Sequence, residues 1–169
     1  MGWLHRRMGI EGGSQSWLDQ TYSLLQPTPG VSQEFLSRLE DIRAWILSRV
    51  WPESYPDLRE ALENFRIVVG DLVNVFNQHS KSEADSPFLE TKRIYQIEEW
   101  NPRLYDRLLK RYEFHVDLLH DLTCEMTRAA NYVCDKVRRN LDKSFRIEQG
   151  VLLVRRGMTM DMMEHTYRL

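Results

Sequence analysis

The sequence predicts a mainly α protein: a bundle of four to five helices, one of them very long (about 102–141), followed by a small C-terminal antiparallel β meander. Three observations carry this expectation. Pro102 to Leu141 contains no Gly and, after Pro102, no Pro, so nothing in that stretch interrupts a helix. From Asp57 onward, Leu58, Leu62, Phe65, Val69, Leu72, Phe76 and His79 recur at alternating spacings of 4 and 3, the seam of a packed bundle helix. After Leu141 the apolar period shortens to alternation, which suits strands.

A chain of 169 residues suits one domain and can bury a real core. The expected division is a loose N-terminal lead-in over 1–13, then a single domain over 14–169, with a helical bundle to 141 and a β appendage from 142. Arg6 and Arg7 are not followed by the apolar run of a signal peptide, and no stretch approaches the ~20 apolar residues that cross a bilayer, so no membrane partner is expected. Net charge is −2, but residues 1–90 hold 8 Lys/Arg against 13 Asp/Glu while 91–169 hold 15 against 12. Such a mild dipole is too weak to argue for DNA wrapping or a polybasic membrane patch. Cys124 and Cys134 both fall on the long helix, ~15 Å apart along its axis, beyond the ~7 Å Cα limit for a disulfide. Their usage fits packing in a reducing, cytoplasmic setting.

Taken in order, Ser14 or Ser16 caps a short helix carrying Trp17, Leu18, Tyr22 and Leu25, which Pro27-Thr28-Pro29-Gly30 stops. Ser32 opens a second helix along Phe35, Leu39, Ile42 and Ile46, ended by Trp51-Pro52. The third helix starts at Asp57, and its Gly70 invites a close approach by a neighbour. His79 to Pro87 reads as a polar connection, and 88–100 reads as helical on Ile94, Ile97 and Trp100, with a strand at Ile94 to Ile97 as the alternative. Asn101-Pro102 is an N-cap followed by Pro at the first helical position. At ~1.5 Å per residue the long helix spans ~60 Å, too long for a compact domain of this size, and its charged tail Asn131 to Lys143 is the part expected to project. Beyond it, Phe145 to Ile147 and Val151 to Arg155 read as a hairpin around Gly150, and Met163, His165, Tyr167 and Leu169 as a further half-buried strand with an open edge.

Arg111 and His115 form the sharpest candidate site. Four residues apart on one side of the helix, with His115 in the apolar seam, they suit phosphodiester chemistry: the imidazole moves a proton and the guanidinium holds the phosphate. A helical bundle with an inward Arg and His resembles the HEPN ribonucleases, and that resemblance implies metal-independent cleavage of RNA. The resemblance is limited, because Tyr112-Glu113-Phe114 is a shorter spacer than that family's motif, and Arg107 stands too far from His115. Arg138, Arg139, Arg155 and Arg156, with Lys143 and Arg146, collect at the junction of long helix and hairpin and suggest a nucleic-acid surface. Asp117, His120, Asp121 and Cys124 share a face but lack paired helical ligand spacing, so no metal is expected. His79 is expected to lie ~20 Å from His115. Met158, Met160, Met162 and Met163 offer adaptable apolar surface. Phosphate loops and dinucleotide fingerprints are absent, so no cofactor is expected.

These features favour a non-enzymatic helical interaction module or accessory subunit that binds a protein partner or self-associates. The alternatives are the ribonuclease on Arg111 and His115, and a nucleic-acid-binding protein on the basic junction.

Overall fold

The computed structural model describes residues 16–51, 53–82, 86–156 and 165–169. The lead-in 1–13 and Met158, Met160, Met162 and Met163 lie outside them. The described residues form four helices, α1 Trp17–Leu24, α2 Gln33–Leu47, α3 Pro56–His79 and α4 Pro102–Asn140, and five short strands, β1 Gly30–Ser32, β2 Ser80–Ser82, β3 Phe88–Thr91, β4 Leu153–Arg156 and β5 His165–Arg168. The protein is thus mainly α. Among the described residues no helix is long and apolar enough to cross a membrane.

Local chemistry sets each helix end. Ser16 accepts from Asp19 N while the Asp19 carboxylate accepts from Ser16 N, a capping box that starts α1. Ser32 Oγ accepts from Phe35 N at 3.2 Å to start α2, and Asn101 Oδ1 accepts from Leu104 N at 3.1 Å to start α4. Pro56 stands in the first turn of α3, where its missing N–H costs nothing.

The centre of the molecule is α3 laid antiparallel on α4. At one end the Asp57 carboxylate accepts from Lys136 Nζ at 3.2 Å and from Asn140 Nδ2 at 3.1 Å. At the other end the rings of His79 and His115 meet. Between them Leu62, Phe65, Val69, Leu72 and Phe76 pack in one core with Leu119, Met126, Ala130, Val133 and Val137. α2 covers α3, and Gly70 is the point of close approach: a Cβ there would stand 3.0 Å from Nη2 of Arg43. α1 is held to α4 by Trp17 Nε1 donating to Thr127 Oγ1 at 3.2 Å.

Three expectations need correction. The first concerns 88–100, which is not helical: Phe88–Thr91 is the middle strand of a sheet ordered β1-β3-β2, antiparallel throughout, with Val31 opposite Leu89 and Lys81 opposite Glu90. Residues 92–100 then make turns, including Ile94 to Ile97. The second concerns the C-terminal meander. Phe145 to Ile147 is no strand, because Arg146 takes φ 56, a left-handed conformation that a strand excludes, and residues 141–150 form turns. Gly150 does take positive φ, at 69. The strands that pair are β4 and β5, with Val154 opposite Tyr167.

The third concerns the projecting end of the long helix. Asn131, Val133, Cys134, Lys136 and Val137 are buried. Asn131 binds the appendage down: its Nδ2 donates to Leu152 O at 2.9 Å and to Leu169 O at 3.2 Å, and its Oδ1 accepts from Leu152 N at 2.8 Å. The opposite end is the free one. Pro102 to Arg111 contains no buried residue, and with His79 beside His115, α4 runs ~20 Å past the end of α3.

Candidate functional site

His115 lies in the α3–α4 seam and is only 7% exposed. Its ring stands 4.4 Å from that of His79, at 73°, edge to face. The expected separation of these histidines fails because residues 80–101 do not turn straight back. They build β2, β3 and the following turns, so α4 begins well beyond the end of α3. Burial, and secondarily the charge on His79, push the His115 pKa down from 6.5 to about 4, so the ring is neutral near pH 7. Its Nε2 is buried with no hydrogen-bond partner among the described residues. Arg111 is exposed and makes no hydrogen bond to His115. The two therefore do not form a joint inward pair.

The basic junction is dispersed. Arg138 pairs with Asp135 on its own helix and donates from Nη1 to Phe145 O at 3.2 Å. Arg139 is exposed, and Arg155 lays its guanidinium 4.9 Å over the Tyr22 ring on α1. The side chain of Arg156 lies outside the described residues. Arg146 is buried at 4% exposure, and its Nε and Nη1 find no partner among the described residues. Burial is the main cause that lowers its pKa, with Arg138 acting in the same direction and Cys134 opposing. Nothing in the sequence signalled a buried arginine there.

The acidic face of α4 lines a pocket of about 460 Å³ with Asp117, His120, Asp121 and Cys124, closed by Leu25 and Val154. His120 Nε2 stands 3.1 Å from Gln26 O. Among the described residues no group of three or more His, Cys, Asp or Glu side chains could hold a metal ion.

The free end of α4 is the most distinctive surface. On its inner side Tyr95, from the turns before the helix, stands edge-on to Tyr105 at 6.0 Å and to Tyr112 at 5.0 Å, and Tyr112 OH donates to Pro27 O at 3.1 Å. These contacts fix the angle at which the helix leaves the bundle. On its outer side, at ~100° per residue, Arg103, Arg107, Lys110 and Phe114 fall within an arc of ~60°, with Arg111 on one flank and Asp106 and Glu113 on the other. All of them are exposed, Phe114 at 70%, and Trp100 at the root of the helix is 73% exposed.

These cations differ from the helix arginines that pair within their own helix. Arg38, Arg43, Arg66, Arg128 and Arg138 each bridge a carboxylate three or four residues back on their own helix. Arg103, Arg107, Lys110 and Arg111 bridge none among the described residues, although Asp106 precedes Lys110 by four. Sequence reasoning placed the projecting segment at the wrong end of the helix, yet the 4, 3, 4 spacing of Arg103, Arg107, Lys110 and Phe114 was there to be read. No family model, curated protein or solved structure matches this chain.

Proposed function

We propose that the chain is a helical protein-interaction module whose working surface is the part of α4 that precedes His115. The observation that carries this reading is a three-turn run of a 39-residue helix, Pro102 to Arg111, without one buried residue. A helix end of that length whose apolar side chains, Leu104, Tyr105, Leu108 and Leu109, are only half-buried is marginal by itself, since most helical stability comes from packing of an apolar face. Exposed Trp100 and Phe114 beside unpaired cations give this end the aromatic and arginine composition of a docking surface.

The ribonuclease reading receives less support. It needs His115 to exchange a proton with bound substrate, whereas its ring is buried, neutral near pH 7 and apart from exposed Arg111.

The test is the size of the chain in extract from its native cells. Wild type is expected to run in a complex heavier than the monomer. Trp100→Ser combined with Phe114→Ser is expected to return it to monomer size without changing its melting temperature. Wild type running as a monomer, or a complex indifferent to both substitutions, contradicts the reading.

A further inference from the structure

We infer that the basic outer face of α4 docks on the α3 groove of a second copy of this chain, head to tail. This rests on the reading of the free end of α4 as a docking surface and names its occupant. The groove, about 750 Å³, runs along the outer face of α3, where Glu53, Glu60 and Glu63 outnumber Arg59 and the half-exposed Ile67 closes one end. Glu53 and Glu60 have no ion-pair partner among the described residues, matching the unpaired cations of α4.

The two surfaces also agree in length and pattern. Arg103 to Phe114 and Pro56 to Ile67 each span eleven helical steps, ~16 Å. Each ends on an exposed apolar side chain, Phe114 on the ridge and Ile67 in the groove. Within one molecule they cannot meet, because the antiparallel packing of α3 on α4 puts the groove at the Lys136 end and the stripe beyond the His115 end. Contact must therefore be made between copies, and a contact between two different surfaces propagates into a ring or an open series.

Charge favours a second copy over a polyanion. A second copy offers Glu53, Glu60 and Glu63 to the cations of the stripe, whereas a nucleic acid would meet the stripe alone and be repelled by residues 1–90, which carry 13 Asp/Glu against 8 Lys/Arg.

Sedimentation velocity of the full chain over a wide concentration range tests this. The expected result is a mass that climbs past the dimer with concentration and falls as salt is raised. Arg107→Glu with Lys110→Glu, and separately Glu53→Lys with Glu60→Lys, should each weaken association at least ~tenfold while leaving the circular dichroism spectrum unchanged. Mixing the two reversed variants should restore it, because each then meets a complementary partner. A wild-type monomer at all concentrations, association indifferent to either reversal, or failure of the mixture to associate overturns the proposal. So does single-stranded RNA bound in a manner lost on reversal of the stripe and kept on reversal of the groove. A monomeric purified chain that still runs heavy in native extract through Trp100 and Phe114 removes the second copy and leaves the interaction module standing.

Discussion

A buried polar atom without a partner costs ~1–3 kcal/mol, and His115 Nε2 has none among the described residues. His115→Leu keeps the seam apolar and is expected to stabilise the protein by ~1 kcal/mol at pH 7, read from urea unfolding; a loss of stability would show that the imidazole holds something in place. The same residue sets a pH dependence. Its folded pKa of about 4 lies below its ordinary 6.5, so the unfolded chain takes the proton first as pH falls. Stability should be complete above pH ~6.5 and decline toward pH ~4, by up to ~3 kcal/mol from this group at 1.36 kcal/mol per unit. His115→Leu should remove most of that decline, and a decline of equal size in the variant would assign it to other groups. The inward place of His115 was legible from its heptad neighbours Leu108 and Leu122. The exposure of Arg111 was not, because four helical steps advance ~400°, and the extra ~40° carries Arg111 off the edge of the buried stripe.

Among the elements, the segment that carries β4 and β5 is tied to α4 by the Asn131 side chain. Asn131 completes both the N–H and the C=O of Leu152, as a neighbouring strand would. Asn131→Ala should cost ~2–3 kcal/mol and expose the 141–150 turns to limited proteolysis before the rest of the chain is cut; wild-type stability and cleavage would contradict the role. The β1-β3-β2 sheet has a similar pinch. A Cβ on Gly30 would stand 2.5 Å from Cε1 of Phe88 and 3.2 Å from Leu89 O, so Gly30→Ala must displace ring or strand and should cost ~1–3 kcal/mol in the same unfolding measurement. Helix starts were readable because Ser16, Ser32 and Asn101 act on amides three residues away. β3 was not, because it is four residues long with Thr91 alone buried, and its partner Gly30–Ser32 is far off in sequence. The tail after Asn131 misled for a related reason: its charges are visible in sequence, whereas the strands and turns that cover it are a tertiary matter.

For the whole molecule, the length of α4 came from the absence of breakers, but which end stands free was decided elsewhere, by the path of residues 80–101. Because β2, β3 and the turns after them carry the chain past the end of α3, the helix starts outside the bundle and its far end is covered by the C-terminal segment. Trp100 and Phe114 therefore bury little within the monomer, and Trp100→Ser with Phe114→Ser should change unfolding free energy by no more than ~0.5 kcal/mol per site. A larger loss would mean that this end is packed. The most direct measurement of the central claim is site-resolved photo-crosslinking in the native cell. A photoreactive residue replacing Arg107, on the outer face of α4, is compared with one replacing Ala44, exposed on α2. The account predicts a discrete adduct from position 107, lost with Phe114→Ser, and none from position 44. No adduct at 107, or the same diffuse labelling at both positions, would contradict it.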